Sequence, residues 1–127
     1  DKYKWMRNSK GLISPVKWHE PFGLALTESL YFASPVFGAP CGSLPEIMTS
    51  NVGFLSNKQR ELAAALSHAD QFDAQKCHDT AIDLFNSKFM AEKYFLYYGT
   101  VLNNNKVNSV APKVLPPGKS IGDGWVG

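Results

Sequence analysis

The 127-residue chain has 44% apolar residues, 19% charged residues and a formal net charge of +2, an ordinary composition for a folded domain. This balance excludes disorder over most of the chain, and the length allows at most one domain. No apolar run approaches the roughly 18 residues of a membrane span. The two cysteines, Cys41 and Cys77, form neither a disulfide scaffold nor a CxxC zinc motif.

The first half of the chain alternates short apolar runs with helical patterns. Strands are predicted at 12–14, 35–38 and 53–55, and helices over 2–10, from Pro21 onward, and for one or two turns from Ser43 or Leu44. Parallel strands joined by short connections need a crossover helix, so this order predicts a parallel α/β unit.

The second half is helical by its apolar spacing. Helices are predicted at 59–68, 73–85 and 88–102, the last with Asn86 or Ser87 as N-cap and with Tyr94, Tyr97 and Tyr98 packing against the protein. Two or three strands are too few for a complete parallel sheet. We therefore expect the second half of a Rossmann-like, doubly wound parallel sheet followed by C-terminal helices, with further strands upstream of Asp1.

The change of composition near residue 103 divides the chain. Residues 1–102 carry the periodic patterns and form the expected partial domain. Residues 103–127 lack periodicity and are rich in Asn, Gly and Pro, so they are predicted to be a poorly ordered tail or linker.

Charge is uneven along the chain. Residues 1–19 carry five cations against Asp1, whereas the only charges of 20–57 are Glu20, Glu28 and Glu46. The cations form no stripe, and no helix-turn-helix, RNP or zinc-finger pattern is present, so nucleic acid is not an expected partner.

The stretch after the first strand carries the candidate chemistry. A helix that begins near Pro21 offers the backbone N–H groups of Phe22, Gly23 and Leu24 to an anion such as phosphate. Glu20 and Glu28 flank this point, and carboxylates accept hydrogen bonds from sugar hydroxyls. The pattern predicts a site for a phosphate attached to a hydroxyl-rich group.

A second turn, at Gly42 and Ser43, follows the next strand and begins another short helix. Both turns follow the carboxyl ends of parallel strands, where open α/β sheets bind their ligands. We therefore count Gly42 and Ser43 as further candidates for the same site.

These segments resemble a known family. The strings W-H-E-P-F-G-L-A-L-T-E-S-L at 18–30, S-P-V-F-G at 34–38, G-S-L-P-E-I at 42–47 and V-G-F-L at 52–55 are similar, in order and spacing, to the C-terminal domain of retaining glycosyltransferases of the family 4 type, which have the GT-B fold. One departure is Ser29, where the family usually has Ala.

The resemblance implies transfer of a sugar from a UDP-, GDP- or ADP-linked donor to a carbohydrate or other acceptor, as in polysaccharide biosynthesis in the cytoplasm. It implies that Glu20 lies at the donor sugar, that the amides of Phe22, Gly23 and Leu24 contact sugar and diphosphate, and that Glu28 holds the ribose. No metal or other cofactor is implied, and the chain has no DxD motif.

The same resemblance implies missing parts. The family's Arg and Lys that clamp the diphosphate, and the acceptor-binding N-terminal domain, have no counterpart in this chain, so we expect the chain alone to be inactive without that domain or a partner chain. Lys17 and His19 are weaker candidates for a phosphate contact and a general base. Trp18 is expected to pack in the core, with a wall of the sugar site as the other option.

Two other functions are considered at this point, a non-catalytic module and a sugar phosphorylase. The chain can instead be a non-catalytic half-domain that acts as a binding or interaction module. A sugar phosphorylase is disfavoured because a ribose-binding glutamate has no use without a nucleotide. The basic first segment also leaves a peripheral membrane contact open.

Overall fold

The computed structural model describes residues 1–103, 105–108 and 110, and over these residues the chain is an α/β protein with one small parallel sheet. The elements, in chain order, are α1 (Lys2–Arg7), β1 (Leu12–Ser14), α2 (Leu24–Tyr31), β2 (Val36–Gly38), α3 (Leu44–Ile47), β3 (Gly53–Leu55), α4 (Gln59–Ser67), a 3₁₀ turn (Ala69–Gln71), α5 (Ala74–Leu84) and α6 (Ser87–Leu102). The tail predicted at 103–127 falls mainly outside the described residues. None of the helices described is long and apolar enough to cross a membrane.

The three strands lie in the order β1–β2–β3 and all run parallel. Ile13 is opposite Phe37, and Phe37 is opposite Phe54. The short apolar runs bounded by Gly and Pro therefore predicted the strands correctly, and the parallel α/β architecture is confirmed. Because β1 pairs with β2 in parallel, with Ser14 opposite Gly38, the carboxyl ends of these two strands are neighbours in space.

The core has two parts, one on each face of the sheet. Val36 packs with Leu26, Leu30 and Cys77 of α2 and α5. Phe37, the next residue, packs on the opposite face with Leu62 of α4. This alternation follows from the two-residue period of a strand, and it produces three layers with α2, α3 and α5 on one side and α4 on the other.

The start of α2 differs from the prediction. The helix begins at Leu24, after Gly23, whose φ of 80° and ψ of 71° are left-handed. A left-handed residue interrupts a right-handed helix, so Pro21 and Phe22 belong to the loop, and the predicted start at Pro21 is wrong by three residues. Glu20 is consequently a loop residue four positions before the helix.

Helix α6 begins as predicted at the N-cap Asn86, whose side chain accepts a hydrogen bond from the N–H of Phe89 at 2.8 Å. The rings of Tyr94 and Tyr98 pack against each other with centroids 5.9 Å apart, but Tyr94, Tyr97 and Tyr98 are all exposed and no residue of α6 is buried, so a buried packing of these tyrosines is not found. The apolar residues of this helix occur on all its sides, so covering any one face would still leave apolar residues exposed.

Candidate functional site

The loops that follow β1 and β2 are joined by hydrogen bonds. The N–H of Ser43 donates to the carbonyl oxygen of Glu20 at 2.8 Å, and the Ser43 hydroxyl donates to the carbonyl oxygen of Phe22 at 2.8 Å. The Cys41 thiol donates to the carbonyl oxygens of Val16 at 3.2 Å and Trp18 at 3.4 Å. These contacts fix the first loop against the second at the carboxyl edge of the sheet.

Gly42 allows this close approach. Its φ of 60° is left-handed, and a Cβ at this position would lie 2.5 Å from the carbonyl oxygen of Glu20. Only glycine can adopt this left-handed φ and also lie so close to the backbone of Glu20 without strain. The amide of Ser43 is engaged by Glu20, so in this structure the second turn holds the first loop and the Ser43 N–H is not available to an anion.

The N-terminal end of α2 has unused donors. The backbone N–H groups of Phe22, Gly23 and Leu24 make no hydrogen bond within the described part of the chain, whereas the N–H of Leu26 donates to the carbonyl oxygen of Gly23 at 2.9 Å. The ring of Phe22 packs edge-on against Phe85, with centroids 6.0 Å apart, which anchors the loop. Leu24 is the first residue of α2, so its N–H lies at the positive end of the helix dipole, and Phe22 and Gly23 precede it in the loop.

Glu20 lies beside an exposed indole. The ring N–H of Trp18 donates to Oε2 of Glu20 at 3.2 Å, and the Trp18 side chain is 61% exposed. The expected core packing of Trp18 is therefore wrong. The reason is local, because the carbonyl of Trp18 accepts hydrogen bonds from Glu20 and Cys41 and so holds the residue in the loop, outside the core.

Glu28 has a different partner. The ammonium of Lys2, in α1, donates to Oε1 at 2.8 Å and Oε2 at 3.0 Å. This hydrogen bond raises the pKa of Lys2 above its usual value. Glu28 lines a cleft of about 580 Å³ between α1 and α2, together with Arg7 and Tyr31.

Lys2 is the residue that sequence reasoning missed. Its only signal was the charge pattern, in which a basic segment precedes a stretch whose charges are all glutamates. Such a pattern indicates attraction between the segments but does not identify the pair. Lys17 and His19, the weaker candidates, are both exposed in the loop after β1.

The structure thus brings Glu20, Phe22, Gly23 and Leu24 into one loop and helix start, held by Gly42 and Ser43, while Glu28 lies in the cleft with α1. Compared with known proteins, the chain matches no family model and no curated protein.

Proposed function

We propose that this chain is the donor-binding part of a retaining glycosyltransferase that takes its sugar from a nucleotide-sugar. The observation that carries the proposal is that the loop after β1 is hydrogen-bonded to the loop after β2. It is supported by the hydrogen bond from the N–H of Ser43 to the carbonyl oxygen of Glu20, which joins these loops at the carboxyl ends of two parallel strands. The amides of Phe22, Gly23 and Leu24, which make no hydrogen bond within the described residues, follow Glu20 closely in the chain.

The chemistry of each group fits one part of such a donor. Amides at a helix N-terminus bind a diphosphate, which carries the negative charge that the helix dipole attracts. The Glu20 carboxylate accepts hydrogen bonds from hydroxyls of the transferred sugar, and Glu28 accepts them from the ribose. Lys2 is exposed, and an exposed ion pair is weak, so ribose hydroxyls can displace its ammonium from Glu28.

The open edge of β1 supports the finer proposal about the fold. Parallel sheets are normally covered on both faces and contain more strands than the three described here. We propose that this chain forms the second half of a doubly wound sheet. The missing half, in an upstream segment or a partner chain, supplies the diphosphate clamp and the acceptor site, and the complete cytoplasmic enzyme needs both.

Calorimetric titration with UDP, GDP and ADP tests the proposal. We expect one nucleotide to bind, and we expect Glu28→Ala to abolish that binding. Glu92→Ala is the matched control, because Glu92 is an exposed glutamate on α6 and its loss leaves the site intact. Equal binding by the wild type and Glu28→Ala contradicts the proposed role of Glu28, and a folded chain that binds no nucleotide contradicts the donor-binding proposal.

Helix α6 favours the alternative function, a non-catalytic half-domain that acts as an interaction module. Phe95 is 77% exposed and Leu102 is 82% exposed on a helix with no buried residue. Apolar surface of this kind is typical of protein interfaces. Absence of nucleotide binding by the folded chain is the result that favours this alternative.

A further inference from the structure

Trp18 has an unusual environment for a tryptophan. The side chain is 61% exposed, although tryptophan is usually well buried in folded proteins. An indole has an apolar face and a single polar tip, and it is enriched at binding sites where one part is covered and the other is wet.

The backbone beneath this ring is held on both sides. The N–H of Glu20 donates to the carbonyl oxygen of Trp18 at 3.0 Å, and the Cys41 thiol donates to the same oxygen at 3.4 Å. The carbonyl of Glu20 is held in turn by the N–H of Ser43 at 2.8 Å. The exposed ring is therefore attached to a fixed segment, and a bound ligand would not have to order this loop.

The polar tip of the indole is used. The Trp18 ring N–H donates to Oε2 of Glu20 at 3.2 Å, while Oε1 has no hydrogen-bond partner among the described residues. One carboxylate oxygen is thus held, and the other remains able to accept a hydrogen bond. An apolar ring face beside an oriented carboxylate matches the two surfaces of a sugar, which has C–H groups on its faces and hydroxyls at its edge.

We propose that Trp18 is a positioning residue for Glu20 and a platform for the sugar of the donor. Its ring N–H orients the Glu20 carboxylate toward a sugar hydroxyl, and its ring face packs against the C–H groups of the same sugar. This inference rests on the proposed function, because it concerns the donor that Glu20 and α2 would bind.

The sugar platform is tested by the ratio of two affinities. Calorimetry with UDP and UDP-glucose, and with the corresponding GDP-mannose and ADP-glucose pairs, measures the contribution of the sugar. We expect Trp18→Leu to lower nucleotide-sugar affinity about threefold to tenfold while nucleotide affinity is unchanged, the range of one aromatic contact. Trp18→Phe, which keeps a ring but loses the N–H, restores part of that affinity. Trp5→Phe, at another exposed tryptophan, is the control.

The orienting hydrogen bond has a test that needs no ligand. In a ¹H–¹⁵N spectrum of the Trp5→Phe, Trp125→Phe double variant, the one remaining indole signal belongs to Trp18. We expect Glu20→Ala to shift that signal, and an unchanged signal overturns the positioning role.

The outcomes separate the two proposals. Equal losses of nucleotide and nucleotide-sugar affinity in Trp18→Leu, or no loss of either, overturn the platform and leave the donor-binding function standing. No nucleotide binding by the folded wild type overturns the donor-binding function and the platform with it.

Discussion

Lys2 donates hydrogen bonds to both carboxylate oxygens of Glu28, at 2.8 and 3.0 Å, across 26 positions of the chain. The pair joins α1 to α2 on the wall of the cleft. It is exposed, with 56% of the Lys2 side chain and 31% of the Glu28 side chain accessible, so water screens the attraction and its effect on stability is small. Glu28 is thus held by an exposed partner whose attraction is weak.

Removal of that partner has a predicted effect on binding. Lys2→Met leaves Glu28 without a competing ammonium, so we expect affinity for the bound nucleotide to rise about twofold to fivefold, in line with the strength of an exposed ion pair. Calorimetry measures the change. Lys4→Met, at an exposed lysine of the same helix, should leave the affinity unaltered. A fall in affinity would mean that Lys2 itself contacts the nucleotide.

Replacing Gly42 and replacing Gly99 by alanine are predicted to have opposite effects on the free energy of unfolding. Gly42→Ala forces a Cβ against the Glu20 backbone at a left-handed φ, so it should lower the free energy of unfolding by about 1–3 kcal/mol. Gly99→Ala, in α6 with open space around it, should raise that energy by about 0.5–1 kcal/mol because alanine is the better helix former. Urea unfolding of both variants checks the pair, and a harmless Gly42→Ala would contradict the close approach of the two loops.

A further prediction concerns the backbone conformation of Ala33 and its effect on stability. Its φ of 62° is left-handed, and its N–H donates to the carbonyl oxygen of Leu30 at 2.8 Å as α2 ends. A left-handed alanine costs about 1–2 kcal/mol, whereas glycine adopts this conformation freely but loses more entropy on folding. We expect Ala33→Gly to stabilise the protein by roughly 0.5–1 kcal/mol in thermal or urea unfolding. A destabilised variant would show that Ala33 is not strained.

The buried thiol of Cys77 is predicted to make the protein less stable at alkaline pH. The side chain is fully buried between α2 and α5, and burial, helped by the charge of Asp73, raises the pKa of the thiol to about 11. The unfolded thiol ionises at a lower pH, so the contribution of Cys77 is complete below pH 8 and is lost as the pH rises toward 11.

Unfolding free energies at pH 8, 10 and 11 measure this effect. We expect the fall in stability of the wild type to exceed that of Cys77→Ala by on the order of 2 kcal/mol. Other titrating groups are common to both proteins, so the difference isolates the thiol. Identical slopes for the two proteins would contradict the raised pKa.

Much of the fold was predictable from local patterns. The strand at 12–14 agrees with β1, and Asn86 caps α6 as its side-chain chemistry predicts. The start of α2 was not predictable, because proline favours a helix start while Gly23 adopts a left-handed conformation that no spacing of apolar residues indicates. The exposure of α6 was also not predicted. The spacing of apolar residues indicates which side chains would be buried in a packed helix, but it does not show whether another element packs against them.

The site shows the same division. The order of carboxylates, amides and turns along residues 20–43 was evident in the sequence, because it depends on neighbours in the chain and on the rule that parallel strands end at one edge. The hydrogen bond from Ser43 to Glu20, the exposed ring of Trp18 and the contact of Lys2 with Glu28 were not.

By itself, then, the sequence determined the parallel α/β order and the residue types available at the end of each strand. Only the tertiary structure decided which of those residues meet. The physical reason is that secondary structure depends on the nearest neighbours of each residue, whereas partners such as Lys2 and Glu28 are selected by how separate elements pack.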